Sequence, residues 1–429
     1  MSLIPSDRNT TRPAARRIAF AGSVDDGKST LTGRLLYDAA LLSSDQDAAL
    51  KKSALRNGGE PDLASITDGL TDEREQGITI DVAWRYLDFG GQRIVLADVP
   101  GHEQYTRNMV TAASTADTIV VLVDAQSGAT VQTWRHLFVA MLVGVKNIIV
   151  AINKMDLIDN DFDRYSEICA AVRSFAAPFA DARLVFVPVS ALRGDNVVHP
   201  STQCGWYDGP TLYELMTRPL AGTGGEMPLR LPVRYVSRPG QNGTARSYMG
   251  RLSAGQIRQG DTIVSLPNGR TATVNGIWLE GKPVASAQTG QSVSLCLDRD
   301  IDLARGDMLA HPDSAPTVSK SIEAALFWFG RQPSGPRNRY ILKHQSRSVA
   351  ARIDYIRHGI DITKPALTAA PDALGENDLA IARISLQAPI ACDPYRRNRH
   401  CGAFMLIDEA TDETVAAGLI GADTVPLGV

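Results

Sequence analysis

The stretch Gly22-Ser23-Val24-Asp25-Asp26-Gly27-Lys28-Ser29-Thr30 places two glycines, a lysine and a hydroxyl at the spacing of a phosphate cradle. The glycines let the backbone wrap a phosphate chain, and successive N–H groups at a helix start turn positive potential toward it. Lys28 can reach the terminal phosphates and the Ser29 hydroxyl suits Mg²⁺. In Asp98-Val99-Pro100-Gly101-His102, the Asp98 carboxylate can hold a Mg²⁺ water and Gly101 lets its own N–H approach a γ-phosphate. His102 then stands beside the site of attack, where it can orient a water. In Asn153-Lys154-Met155-Asp156, the Asp156 carboxylate can accept from both N1–H and N2–H₂ of guanine. Adenine has neither donor and would leave the acid unpaired. The Lys154 stem can lie along the base, and Ser190-Ala191 can offer the Ala191 N–H to guanine O6 while Ser190 braces the loop. Thr79, in the charged segment Asp72–Ile80, is placed to bind Mg²⁺ when a γ-phosphate is present. Loops held in that way are released on hydrolysis, and residues 38–71, with Asn57-Gly58-Gly59, are expected to be the mobile part of such a switch.

These groups need a scaffold, and apolar runs supply it. Ile18–Ala21, Arg93–Ala97, Thr118–Val123, Asn147–Ile152 and Leu184–Val189 read as strands buried on both faces, as in parallel sheets covered by helices. Most end at a polar residue where the next loop begins. Open α/β sheets bind ligands at the carboxyl ends of their strands, so Gly22, Asp98, Asn153 and Ser190 are expected to converge.

The chain has 429 residues, 44% hydrophobic and 21% charged, which suits a globular protein of two or three domains. A net charge of −3 excludes a purely electrostatic nucleic-acid binder. Residues 227–429 carry 23 Lys/Arg against 19 Asp/Glu, so the excess of acid lies in the N-terminal half. Five scattered cysteines without a C-x-x-C pair point to a reducing compartment, and no apolar run is long enough for a signal peptide or a membrane span. A cytoplasmic protein is expected. Residues 1–16 read as a tail, 17–221 as the nucleotide domain, and 222–228 as a Gly-rich linker. Short alternating strands follow at Leu231–Val236, Ala245–Leu252, Thr262–Leu266, Thr271–Trp278 and Ser292–Leu297, which predicts a small β-barrel over 227–312. A second all-β segment spans 318–425.

In their order, Gly22–Ser29, Gly77-Ile78-Thr79, Asp98–Gly101, Asn153–Asp156 and Ser190-Ala191 resemble the five motifs of a translation-factor-type GTPase. A histidine after Gly101 resembles the elongation-factor branch. Gly101–Met109, Ala113–Asp117, Gly194–Val197, Trp206-Tyr207-x-Gly209-Pro210-Thr211-Leu212, Cys392–Tyr395 through Asn398–His400, and Thr414–Gly418 resemble the GTPase subunit of bacterial sulfate adenylyltransferase (ATP sulfurylase). The resemblance covers nearly the whole chain. It departs at Trp134, where a basic residue is expected, and in the small polar loop Gln241–Ser247.

The resemblance implies an α/β P-loop GTPase domain, its mostly parallel sheet covered by helices on both faces, followed by two small β-barrels. It implies GTP and Mg²⁺ as ligands, with His102 positioning the water. It further implies that GTP hydrolysis draws forward the conversion of ATP and sulfate to adenylyl sulfate and pyrophosphate. No ATP-specific motif is visible, so the adenylyl transfer is expected on a smaller catalytic subunit, in a heterodimer or higher heteromer, with no nucleic acid or membrane as partner. No second P-loop for a fused adenylyl-sulfate kinase occurs in the sequence. A translation factor delivering aminoacyl-tRNA shares every nucleotide motif, but it needs a basic surface that a net +4 over 227–429 barely supports. A scaffold that binds GTP without turnover is the other alternative.

Other features carry less. Arg331, Arg337, Arg339, Lys343, Arg347, Arg352 and Arg357 fit a strand with a solvated polar face better than a nucleic-acid contact. Cys392, His400 and Cys401 lack a fourth ligand for zinc. His136, His199 and His344 are assigned no role.

Overall fold

The computed structural model describes residues 15–56, 62–66, 82–89, 91–102, 106–219, 227–237, 246–335, 338–421 and 425–427. It divides into two compact units, Met1–Leu220 and Ala221–Val429.

The first unit is built on six strands: β1 (Arg16–Ala21), β2 (Ala83–Phe89), β3 (Gln92–Asp98), β4 (Thr118–Asp124), β5 (Asn147–Asn153) and β6 (Arg183–Pro188). They form one sheet in the order β2-β3-β1-β4-β5-β6, with β2 antiparallel to β3 and the rest parallel. Every residue of β4 is buried, as its unbroken apolar run predicts. The core gathers Phe20, Leu31, Leu35, Leu96, Val120, Ile149 and Val187 from strands and the helix Lys28–Asp38. Arg16 on β1 secures the far end of the unit by donating to the carbonyls of Met216 and Arg218.

Residues 38–71 contain an ordered helix, Ser44–Arg56, and a short 3₁₀ turn, Ala64–Ile66. The helix is capped on sequence grounds: Ser43 Oγ accepts from Gln46 N–H at 3.3 Å, while Gln46 Oε1 accepts from Ser43 N–H at 3.1 Å. Leu50 and Leu63 are buried. A Cβ at Gly33 would fall 2.1 Å from the Leu63 carbonyl oxygen, so the first helix needs a glycine where this segment crosses it. The Asn57-Gly58-Gly59 part lies outside the described residues.

The second unit is all β. Thr262–Leu266, Met308–Ala310, Leu231–Val236, Tyr248–Arg251, Ser292–Leu297 and Arg270–Leu279 are neighbours in that order, and the first pairs with the last to close a six-stranded barrel. Tyr340–His344, Ala403–Asp408, Thr414–Ile420, Thr317–Trp328, Leu379–Cys392 and Arg347–Asp361 close a second in the same way. Each barrel has its own core, and a smaller apolar cluster of Val264, Leu266, Met308, Ala310, Ala391 and Cys401 joins them. At that junction Arg230 meets Asp393 in a bidentate pair, Nε to Oδ2 and Nη2 to Oδ1, each 2.8 Å. Asn398 Nδ2 also donates to Asp393, at 3.3 Å.

Of the basic stretch, Lys343 falls on the strand Tyr340–His344 and Arg347, Arg352 and Arg357 on Arg347–Asp361, while Arg331 and Arg339 precede them; Arg347 is met by Asp307, Arg352 by Asp354 and Arg357 by Glu323. Arg337 lies outside the described residues. Burial pushes the thiols of Cys392 and Cys401 up to about 11 and about 12, away from the thiolate that a metal needs.

Candidate functional site

The loops at the carboxyl ends of the parallel strands bring the sequence motifs together. After β1, Gly22–Gly27 turns into the helix Lys28–Asp38, with Asp25 at φ 66° and Gly27 at φ 89°. Both lie in the left-handed region; Gly27 reaches it at no steric cost. A Cβ on Gly27 would also stand 2.5 Å from Asn153 Nδ2. Asp26 folds its carboxylate back to accept from the Ser23 N–H at 2.5 Å. Burial raises the Asp26 carboxyl to about 6, against the pull of that N–H and of Lys28.

Lys28 is 8% exposed. Its Nζ donates to the carbonyls of Gly22 and Ser23, each 2.8 Å, and so buttresses the loop from inside. Burial lowers its pKa, opposed by Asp98, Asp26 and Asp25. Val24 stands exposed at the loop's tip, and Ser29 and Thr30 are half-buried in the helix's first turn.

Asp98 ends β3, buried. The Val99 N–H donates to the Phe20 carbonyl at 3.0 Å, which fixes the Asp98-Val99-Pro100-Gly101 turn on β1. Gly101 passes so close to the P-loop that a Cβ would lie 2.7 Å from Lys28 Nζ and 2.9 Å from the Gly22 carbonyl oxygen. His102 follows, half-buried. The Gly101 carbonyl accepts from Gln132 Nε2 at 3.1 Å, and Arg135 Nη1 holds the Gln132 Oε1 at 2.8 Å. Both come from the helix Val131–Leu142, whose Trp134 stacks on Phe175 with centroids 4.7 Å apart. His136 on the same helix is buried near Lys28 and Arg135, and burial drives it down to about 3, so it is neutral at physiological pH.

Asn153 ends β5 and ties two loops together. Its Nδ2 donates to the Asp26 carbonyl at 2.8 Å, and its Oδ1 accepts from the Ala191 N–H at 2.9 Å. The second bond engages the Ala191 N–H, the group expected to face guanine O6. A buried N–H takes the acceptor within reach, and Asn153 is fixed beside it. Lys154, at φ 62°, sends its ammonium to Asp124 Oδ2 at 2.7 Å. Met155 is fully buried, and the Asp156 side chain is 6% exposed with Arg193 Nε 3.8 Å from its Oδ2. Ser190 Oγ accepts from the Arg193 N–H at 3.1 Å and braces its loop. Thr79 lies outside the described residues.

Four supporting residues were not singled out from sequence. Asp124 stands at a strand end like the motif residues, and that position was its signal. Gln132 and Trp206 sit in stretches noted only for resemblance. Arg34, whose Nε donates to the Ala191 carbonyl at 3.2 Å, looks like an ordinary helix cation.

The donor set suits a hard cation beside phosphates. Asp98 and Ser29 offer oxygen ligands, and the Gly101 backbone passes close beside the Lys28 ammonium.

Residues 14–221 match the elongation factor Tu GTP binding domain, and residues 321–421 match the GTP-eEF1A C-terminal domain-like family. Sulfate adenylyltransferase subunit 1 of Bacteroides fragilis (strain YCH46) is 42% identical over 94% of this chain and 85% of its own length. Its namesake in Chromobacterium violaceum is 43% identical over 95% of this chain and 86% of its own length. The bifunctional enzyme NodQ of Rhizobium meliloti is 43% identical over 94% of this chain and 63% of its own length. Likeness of this degree along almost the entire sequence places the chain in the family of sulfate adenylyltransferase subunit 1, whose N-terminal half carries a GTP binding domain of the elongation factor Tu kind.

Proposed function

We propose that this chain is the GTP-hydrolysing subunit of a sulfate adenylyltransferase. The observation that carries the GTPase half is the single cluster formed by the P-loop, Asp98–Gly101, Asn153 and Ser190-Ala191 at one end of the sheet. The family carries the metabolic half.

In the reaction, water attacks the γ-phosphorus of GTP, the bond to the β–γ bridging oxygen breaks, and GDP and phosphate leave. Lys28 holds the β- and γ-phosphate oxygens, and the backbone of Gly22–Gly27 cradles the chain. Gly101 offers its N–H to the γ-phosphate, and His102 orients the water. Asp156 accepts from N1–H and N2–H₂ of guanine, with the Lys154 stem along the base. Ser29, Asp98 and Thr79 are the residues that would hold Mg²⁺, which supplies neutralisation of charge between the β- and γ-phosphates.

Adenylyl transfer from ATP to sulfate takes place on a smaller partner subunit, and the two chains assemble as a heteromer. The five free cysteines fit a reducing cytoplasm. Among the described residues no helix is long and apolar enough to cross a membrane. The ion pairs of Arg347, Arg352 and Arg357 speak against the translation-factor alternative, because they use cations a tRNA surface would need.

The test is GTP hydrolysis with and without the candidate partner, ATP and sulfate. Hydrolysis that rises only with all three, and adenylyl sulfate that accumulates only with GTP, support the reading. Bound tRNA in place of a second subunit would overturn it. His102→Ala is expected to lower turnover by about 100-fold at unchanged GDP affinity. Equal, negligible rates in wild type and His102→Ala would favour a scaffold.

A further inference from the structure

Trp206 lies in a stretch noted for its resemblance, and the nucleotide chemistry makes no use of it. Its indole Nε1 donates to the Asn160 carbonyl at 2.8 Å. Two residues before it, the Cys204 thiol donates to Asn160 Oδ1 at 3.1 Å. The indole packs among Phe162, Tyr165 and Tyr207, with centroids 5.3, 4.9 and 6.2 Å away. Phe162 and Tyr165 open the helix Phe162–Ala176, so Trp206 is wedged between that helix and the loop before it.

That loop carries Asp156. It begins with Lys154 at φ 62°, runs through the 3₁₀ turn Met155–Ile158, and ends with Asp159 and Asn160 at φ 53° and 54°. The Asn160 N–H returns to the Met155 carbonyl at 2.9 Å and closes the loop on itself. At its start the loop is fixed by Lys154 on Asp124 and by the Met155 N–H on the Val189 carbonyl at 3.3 Å. At its end two successive non-glycine residues in the left-handed region are costly and persist only where neighbours hold them. Trp206 and Cys204 are those neighbours.

We propose that Trp206 is a positioning residue for base recognition: by fixing the far end of the Asp156 loop it sets the Asp156 carboxylate where it meets both guanine donors. The inference rests on the reading of Asp156 as the guanine acceptor. A tryptophan that only fills space would support folding without affecting the choice of base.

The experiment compares equilibrium binding of GDP and inosine diphosphate to the full chain. Inosine diphosphate keeps the phosphates, ribose and N1–H and lacks the exocyclic amine, so the ratio of the two affinities reports the amine half of the Asp156 contact. Trp206→Phe keeps a ring in the aromatic cluster and removes the N–H; Trp206→Ala removes both. The preference for GDP is expected to fall about threefold in the first and about tenfold in the second, with affinity for inosine diphosphate, which keeps only the N1–H bond, falling by the smaller factor. Thermal melting of each variant separates this from unfolding, and Trp206→Phe alone decides the matter if Trp206→Ala does not fold. A ratio unchanged in Trp206→Phe, or equal weakening of both ligands, overturns the role of Trp206 and leaves the Asp156 reading intact. A wild-type chain that binds both diphosphates equally overturns the Asp156 reading and this inference with it.

Discussion

Lys28 in the P-loop and Arg230 between the barrels are both buried cations, and their surroundings treat them in opposite ways. Arg230 is matched by Asp393 through two parallel 2.8 Å hydrogen bonds, with a third donor from Asn398 on the same carboxylate. Lys28 is held by two backbone carbonyls, with Asp98, Asp26 and Asp25 acting on it electrostatically. A guanidinium locked to a carboxylate has no charge left to offer. An ammonium propped on carbonyl dipoles keeps its charge for an incoming anion. One buried cation belongs to the architecture, and the other, on the proposed function, to the ligand.

The contrast breaks most visibly at Asp393. Asp393→Ala strands the Arg230 charge, and the second unit is expected to lose about 3–5 kcal/mol in chemical denaturation. The paired replacement Arg230→Met with Asp393→Leu should recover most of that loss, since an apolar pair of similar volume is often no worse than a buried ion pair. A loss below about 1 kcal/mol for Asp393→Ala would mean that the pair is not a structural lock.

At the P-loop the buried acid is expected to cost stability. The Asp26 carboxyl is raised by burial from 3.8 to about 6, so its ionised form is disfavoured in the folded state. That cost is absent below about pH 4, grows as pH rises, and is complete above about pH 6. Asp26→Asn should therefore stabilise the first unit by about 3 kcal/mol near neutral pH and by nothing near pH 3.5, read from melting curves across pH. A gain independent of pH would show that charge is not its source.

Lys28→Met is expected to weaken GDP binding about 100-fold by calorimetry while the melting temperature falls by no more than about 2 °C, because the lysine serves the phosphates more than the fold. A melting temperature that collapses instead would place Lys28 beside Arg230 as architecture. The smallest effect is expected at Gln132. Gln132→Leu removes the donor to the Gly101 carbonyl, worth about 1 kcal/mol, and should slow GTP hydrolysis about fivefold with GDP affinity unchanged.

Much of the first unit can be read in advance because its strands are buried on both faces and appear as continuous β-branched runs. Asn147–Ile152 and Thr118–Val123 lie within one residue of the observed strands. The helix Ser44–Arg56, whose capping box Ser43 and Gln46 form, lies inside residues 38–71, which read from the sequence only as the mobile part of a switch. The strands Gln256–Arg258, Lys282–Val284, Ser286–Gln288 and Met308–Ala310 were also missed, because three residues are too few to show a period of two. In the site, motif spacing picks out the residues that the proposed function turns toward a ligand. It is silent on those that hold them: Gln132, Arg34 and Trp206 act through bonds between segments 31 to 157 residues apart, which no local pattern reports.

The two hydrogen bonds of Asn153 have a consequence for redesign. This amide ties the P-loop to the Ser190-Ala191 loop, which on the proposed function are the phosphate-holding and base-reading parts of the site. Asp156 lies beyond that tie, and no hydrogen bond described for its carboxylate reaches the P-loop. On the proposed function, base preference is therefore expected to be separable from the grip on phosphate. A changed acceptor at position 156 is expected to alter the choice of purine, whereas Asn153→Ala is expected to loosen both ends together.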